Sequence, residues 1–449
     1  MASERDVVLV EGVRTPFAKA DTKLKDVHPA ELGRVAVHEL IERSNLDVNV
    51  VDEVIIGNTG TPSDAVNISR VIALRAGLPQ GVPAVSVHRN CASAMESITT
   101  GYDRIKAGSA DVIIAGGAEN MSQMPLIMSR PFVKAFQRLM SAKGTGAQLS
   151  ALFNLFKTDM KQIKELMTTG PMQNSPHKPR VAIIEGLTDP FVGINMGQTA
   201  EVLAKDFGIT REQQDEFALA SHKKAAAAMA SGRMAEEITP VFTPPSYKEY
   251  VAQDVGPRAE QTIEQLAKLK PFFDRKFGTI TVGNACPITD GAGAVLLMSR
   301  AKAKELGYKP IASIKGYAFA GCEPERMGLG PAYATPKALK RAGLSLKDIG
   351  LIELNEAFAA QVIACEKAMA SDKFAQDKLG LSAKVGEIDP ATMNVNGGAI
   401  ALGHPVGATG TRLVVTLMKE MQKRNVQFGL ATLCIGGGQG GAVILEREA

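Results

Sequence analysis

The chain has 449 residues, more than one ordinary hydrophobic core serves, so two or three packed units are expected. Apolar residues make up 45% and charged residues 22%, which excludes disorder as the main state. The net charge of +4, from 51 basic and 47 acidic side chains, is too balanced for a dedicated nucleic-acid binder but leaves room for a small anionic ligand.

Trp is absent and aromatics are 5%, so the core is built from Ala, Val, Ile, Leu and Met, which suits helices packed on a parallel sheet. The five cysteines (Cys91, Cys286, Cys322, Cys365, Cys434) are widely spread and contain no CxxC pair. A disulfide scaffold and a structural zinc site are not expected, and no spacing suggests a metal. No apolar run approaches the roughly 20 residues that span a bilayer. The chain enters an apolar stretch at Val7 without a basic leader, and Glu446-Arg447-Glu448-Ala449 is not a peroxisomal address. The expected location is cytoplasmic.

In chain order, short apolar runs bounded by Gly or Asp alternate with longer helical patterns. Val54-Ile55-Ile56, Val112-Ile113-Ile114-Ala115, Ala294-Val295-Leu296-Leu297 and Ala442-Val443-Ile444-Leu445 read as buried strands of an α/β fold. Residues 42–58 and 340–356 repeat one pattern: a helix end, a Leu-led turn, an Asp, then an apolar strand ending at Asn. Residues 111–121 and 430–441 echo each other too, so a duplicated α/β half is expected, with strand ends gathered around a shared site. Residues 122–278 interrupt the repeat. Their first part, 121–175, carries seven Lys/Arg against two Asp/Glu, with helical spacings such as Phe132-Phe136-Met140. A helix is expected over 211–232, with Thr210 as N-cap and Gln213 closing a capping box.

Four places carry chemistry. Cys91, in Asn90-Cys91-Ala92-Ser93-Ala94-Met95, falls at a strand-to-helix turn, where a helix N-terminus favours a thiolate. The alternative is a buried packing cysteine. His404 lies between Gly and Pro in the Gly-rich run 397–410, either as a catalytic group or as a hydrogen-bonded turn residue. Cys434 precedes Gly436-Gly437-Gly438-Gln439-Gly440-Gly441. That run matches GxGxxG but leads into a strand, so a dinucleotide site is rejected, and bare N–H groups suited to an oxyanion hole are expected. Asn355, in Asn355-Glu356-Ala357-Phe358-Ala359, reads in isolation as a helix N-cap.

Together with the opening Val10-Glu11-Gly12-Val13-Arg14-Thr15-Pro16-Phe17, the NCASAM, GGAENMS, NEAFA, NGGAIALGHPVGATG and CIGGGQGG blocks resemble the thiolase family over essentially the whole chain, in the family's order. The resemblance implies duplicated α/β halves in a layered αβαβα arrangement with an inserted loop domain. Residues 1–121 and 279–310 would form the N-terminal half, 122–278 the insertion and 311–449 the C-terminal half. It implies Cys91 as the acylated nucleophile, His404 as its base, Cys434 as acid/base at the acetyl methyl and Asn355 as holder of an oxyanion-hole water. The N–H groups of Cys91 and Gly436 would form a second hole. Contacts to coenzyme A are implied at Arg258, Cys286, Phe358 and Met196, with coenzyme A as co-substrate and no permanently bound cofactor. Cys286 stands where the family usually carries Ser, and Asn195 where short-chain biosynthetic members carry His. His28, His38, His88, His177 and His222 match no motif.

The implied reaction is thiolytic cleavage of a 3-ketoacyl-CoA to acetyl-CoA and a shortened acyl-CoA. The biosynthetic condensation of two acetyl-CoA is the near rival, and a decarboxylating ketoacyl synthase and a non-catalytic acyl-CoA carrier are more distant ones. The 121–175 insertion resembles that of trifunctional-complex β-subunits, although Asn355 matches stand-alone members. Implied partners are a second copy (homodimer or tetramer), a hydratase/dehydrogenase α-subunit, and a membrane surface met through 121–175. No nucleic acid is expected.

Overall fold

The structure, a computed structural model, describes residues 3–169 and 178–448. The end of the 121–175 segment and His177 lie outside the described residues. Two compact units are present, Met1–Gln123 with Ile194–Ala449, and Met124–Gly193.

In the larger unit, β1 (Val7–Arg14) is followed by α1 (Pro29–Ser44), β2 (Glu53–Gly57), α2 (Ile68–Arg75), β3 (Ala84–Val87), α3 (Ser93–Lys106) and β4 (Val112–Asn120). α1 starts with Pro at its first position, which costs nothing where the N–H has no helical partner. It ends at Asn45 in the left-handed conformation. Its buried stripe, Ala30, Leu32, Ala36, Val37 and Leu40, joins the outer core of the first half.

The smaller unit holds α4 (Arg130–Ser141) and α5 (Thr145–Thr169), which pack on each other. Back in the larger unit come α6 (Met196–Asp206) and α7 (Arg211–Ala230). The capping box Thr210/Gln213 expected for α7 is present. There follow β5 (Thr289–Ser299), β6 (Ala312–Gly321), α8 (Gly330–Ala342), β7 (Leu351–Leu354), α9 (Ala359–Met369), α10 (Thr409–Arg424), β8 (Phe428–Ile435) and β9 (Gln439–Arg447). The insertion expected at 122–278 thus has two parts. Residues 124–193 are compact by themselves, while 194–278 belong with the core, where Glu201 accepts from the N–H groups of Thr279 and Ile280.

The strands form one path, β7-β8-β9-β6-β1-β5-β4-β2-β3. β1 pairs antiparallel with both β5 and β6 and so joins two halves. In the first half β2 lies parallel to β4, and β4 antiparallel to β5. In the second, β7 lies parallel to β8, and β8 antiparallel to β9. These are the segments whose sequences echo each other, so the repeat is a repeat of topology. The helix before each repeat strand ends alike, at left-handed Asn45 and Gly343, before a short 3₁₀ turn.

Three cores define the layers. One lies between α1, α2 and the first half-sheet, another between α8, α9 and the second. The third is central, where Met95 and Ile98 of α3 and Leu413, Val414 and Leu417 of α10 meet strands of both halves. The order is helix, sheet, helix, sheet, helix, a mixed α/β fold with the two central helices beginning near the same end of the molecule: a Cβ on Gly410 would strike the Met95 backbone. Among the described residues, no helix is long and apolar enough to cross a membrane.

Candidate active site

Cys91 lies in the turn between β3 and α3. Asn90 takes φ 44°, a left-handed conformation that Asn tolerates better than most residues. Its Nδ2 donates to the Gly436 carbonyl at 2.6 Å, tying this turn to the one after β8. The N–H groups of Gly436 and of Cys91 itself bear on the Cys91 sulfur and pull its pKa down, but burial outweighs them and pushes the thiol up. The start of α3 does not leave a thiolate at rest, because the protein around the sulfur disfavours charge more than the helix end favours it. A neutral thiol needs a base.

His404 sits in the loop before α10. Gly403 precedes it at φ 105°, and a Cβ there would lie 2.5 Å from Thr289 Oγ1, so only glycine fits. The loop is held from two sides. The His404 N–H donates to Thr289 Oγ1 at 3.0 Å, and Gly407 N–H donates to Glu119 Oε2 at 3.0 Å. Glu119, the penultimate residue of β4, is buried and also accepts from Asn58 Nδ2 and the N–H groups of Thr59 and Gly60. The imidazole is 6% exposed. Its Nδ1 lies 2.6 Å from Thr409 Oγ1, and its Nε2 is buried with no partner among the described residues. Burial, with repulsion from Arg412, lowers its pKa to about 3. The ring is a neutral base with one bare nitrogen.

Asn355 is not a helix cap. α9 begins at Ala359, and Phe358 is in extended conformation at its N-cap position. Asn355 N–H donates to Thr432 O of β8, two residues before Cys434. The side chain is fully buried, and neither Oδ1 nor Nδ2 has a partner among the described residues. Leaving a buried amide unpaired costs about 1–3 kcal/mol per group, so such a residue is poised for a ligand or a water. The following Glu356 is paired, accepting from Ser221 Oγ, Asn394 Nδ2 and Ile400 N–H, and so braces the 397–400 turn.

Cys434 lies inside β8 opposite Gly440, and burial raises its thiol well above the ordinary range, with Cys91, Cys365 and Cys286 adding to it. Cys286 is pushed up to about 12 by burial and then by Cys91. Three thiols, Cys91, Cys434 and Cys286, are therefore electrostatic neighbours. The Cys286 N–H donates to Ala357 O at 3.0 Å, Ala285 bridges to Phe358, and Ile288 bridges to His404, so one strip of chain, 284–289, carries the Asn355 and His404 loops.

The softer positions divide. A Cβ placed on Gly436 would come 3.3 Å from Met196 Sδ, so Met196 borders the Cys91 sulfur's donors. Phe358 is buried, edge-on to Phe273. Asn195 caps α6 through a capping box with Gln198, its Oδ1 accepting the Gly197 N–H. Arg258 lies apart from the thiols, lining a cleft of about 410 Å³ with Glu260, Gln261, Gln265 and Leu269. Its N–H donates to His222 Nδ1, and burial with the Arg258 charge lowers His222 to about 4. Sequence reasoning passed over Asn90, Glu119, Thr289 and Thr409. Three of them stand inside or beside quoted blocks, and a charged residue near the end of a buried strand, as Glu119 is, was the available signal.

Fold and site together define an α/β scaffold with a thiol at the start of a central helix, a neutral imidazole and a second buried thiol. Family models agree: the thiolase N-terminal domain matches residues 7–301 and the thiolase C-terminal domain residues 308–447. A 3-ketoacyl-CoA thiolase of Yersinia pestis (strain Pestoides F) is 41% identical over 443 residues, spanning 98% of this chain and 97% of that protein. The 3-ketoacyl-CoA thiolase of Photobacterium profundum is similar to the same extent. The human mitochondrial 3-ketoacyl-CoA thiolase in complex with CoA superposes with a TM-score of 0.82 at 36% identity, over 100% of this chain and 99% of that one. The Bacillus anthracis acetyl-CoA acetyltransferase gives 0.81 at 36%, covering 99% of both chains. This chain belongs to the thiolase family.

Proposed function

We propose that the protein is a degradative thiolase, an acyltransferase that cleaves 3-ketoacyl-CoA with coenzyme A to acetyl-CoA and a shortened acyl-CoA. The observation that carries this reading is the set of buried unsatisfied groups, His404 Nε2 and both Asn355 side-chain atoms, in the same site as two protonated thiols. In a packed interior such groups persist when a ligand completes them.

The chemistry follows from their resting states. His404 Nε2 takes the Cys91 proton as the sulfur attacks the substrate's 3-carbonyl carbon. The C2–C3 bond breaks, leaving an acyl-cysteine, and Cys434 gives its proton to the departing acetyl-CoA carbanion. A thiol held protonated is the state that this step needs. Coenzyme A then enters, its thiol proton passes to Cys434, its sulfur attacks the acyl group, and Cys91 recovers its proton from His404. Developing oxyanions are met by the N–H groups of Cys91 and Gly436, and by His404 with a water on Asn355. Losing one such donor typically costs ~10²–10³ in rate. Met196, Phe358 and Cys286 border the acyl and pantetheine path, and Arg258 contacts the nucleotide end.

The condensing direction is the rival. The similarity to 3-ketoacyl-CoA thiolases over nearly the whole chain supports cleavage. Incubation with 3-ketoacyl-CoA of graded chain length and free coenzyme A should release acetyl-CoA and leave a transient acyl group on Cys91 by mass mapping. Absence of acetyl-CoA at every chain length, or acylation elsewhere, overturns the assignment.

The smaller unit serves a different purpose in this reading, contact with an anionic bilayer surface. Arg130, Lys134, Arg138 and Lys157 line a cleft of about 820 Å³ between α4 and α5, with no acid in its wall. Nearby Met140 and Phe153 are 72% and 71% exposed. Exposed apolar side chains beside cations that have no ion-pair partner among the described residues suit the headgroup region.

A further inference from the structure

Proton accounting around His404 assigns a role to Thr409. Its Oγ1 lies 2.6 Å from His404 Nδ1 and 3.0 Å from the Pro405 carbonyl oxygen. A hydroxyl has one proton to give. The carbonyl can only accept, and the one placement of the Thr409 proton that makes both contacts at once puts it on Pro405, with the oxygen lone pair facing the ring. Nδ1 must then carry the hydrogen. The other nitrogen gives an independent count. Nε2 is buried with no partner among the described residues. If the hydrogen sat there, it would be a buried N–H with no acceptor, which folded proteins rarely leave; a bare ring nitrogen costs less.

From this arrangement we infer that Thr409 is a positioning residue that holds His404 in the Nδ1–H tautomer and so keeps Nε2 free to accept the Cys91 proton. This rests on the reading of His404 as the base. The same contact serves the next state. Once Nε2 is protonated, Nδ1–H still donates to Thr409, so the imidazolium forms without any side chain moving. The hydroxyl is itself fixed, because Thr409 opens α10, its own N–H also donates to the Pro405 carbonyl, and it is fully buried. Among neighbouring groups, Arg412 of the same helix bears a charge that acts on the ring, and from the β5 side the Thr289 hydroxyl meets the His404 backbone N–H. Neither fixes a tautomer, since the first touches no ring nitrogen and the second meets only the main chain.

Thr409→Val keeps the shape and removes the acceptor; Thr409→Ser keeps the acceptor. Single-turnover acylation of Cys91 by a 3-ketoacyl-CoA is the readout. Valine should slow it by roughly 10²-fold, the lower end of what general-base catalysis supplies, with KM for coenzyme A little changed, and serine should restore it to within a few-fold. A structural role alone would make the rate follow thermal stability, not the hydroxyl. A second measurement does not depend on any variant folding. With only six histidines in the chain, ¹⁵N-histidine labelling of the unaltered protein resolves His404, assigned by its loss in His404→Gln. The expected spectrum has hydrogen on Nδ1 and a bare Nε2. Hydrogen on Nε2, or a valine variant that acylates at the unaltered rate, overturns the inference. If the unaltered protein does not acylate Cys91 at all, it is the functional reading that fails, and the tautomer measurement still stands or falls alone.

Discussion

At the scale of single residues the site works through groups kept neutral. Cys91 and Cys434 are raised by burial, and His404 is lowered to about 3. A Cys–His ion pair would show a thiolate near neutral pH; here the thiolate fraction stays below that of an ordinary cysteine. Iodoacetamide should therefore label Cys91 in the free protein at a rate that keeps rising through alkaline pH. A plateau near neutrality would contradict the neutral pair. Cys434→Ala should retain acylation of Cys91 by acetyl-CoA, whose leaving group is a thiolate, yet greatly slow deuterium exchange into the acetyl methyl, because the carbanion step loses its proton shuttle. Unchanged exchange in that variant would remove Cys434 from the reaction. Cys91, His404 and Cys434 could be picked out in the sequence because each interrupts a Gly-rich or small-residue block. Asn355 was legible as polar but not as uncapped. Whether a side chain caps depends on where the helix begins, and extended Phe358 delays α9 to Ala359.

At the scale of elements, the duplication could be read directly. A helix end, a short turn and an apolar strand ending at Asn recur, and β2 and β7 take equivalent places beside β4 and β8. What could not be read was which part of 122–278 packs with the core, since anchors such as Glu201 act across long separations. The α4–α5 pair yields an element-scale prediction. Arg130, Lys134 and Arg138 repeat every four residues along α4 and face Lys157, and like charges so placed repel. None has an ion-pair partner among the described residues. Vesicles with an anionic headgroup should bind the protein and neutral vesicles should not, and salt should weaken the binding. At ~1 kcal/mol per cation near an anionic leaflet, replacing all four by Gln should cost roughly a thousandfold in partitioning, while short-chain thiolysis stays near normal. Equal binding by the variant, or binding only to a separate protein subunit, would refute the membrane assignment.

At the scale of the whole molecule, the two halves and residues 194–278 are joined by buried charges, and this was invisible in the sequence. Arg14 attracts notice there only as part of an opening motif. In the fold it ends β1, is 0% exposed, and forks between two carboxylates brought from far along the chain. Its Nε donates to Glu237 at 2.7 Å, and Nη1 and Nη2 reach Asp254 at 2.7 and 2.8 Å. Glu237 is shared with Arg233, which also holds Glu420 of α10, so the network links β1 to a central helix. Asp254 in addition accepts the Phe17 N–H. Ion pairs this deep contribute little net stability compared with apolar packing, but removing one partner strands the others. Arg14→Met would leave Asp254 buried without its cation, so unfolding should become easier by ~3–5 kcal/mol. Arg14→Lys should recover little of this, because a single ammonium cannot engage Glu237 and both Asp254 oxygens together. Denaturant titration of the two variants against the parent decides it. A loss below about 1 kcal/mol in Arg14→Met, the range of an exposed pair, would mean that water reaches Asp254 and that the two carboxylates do not depend on this cation.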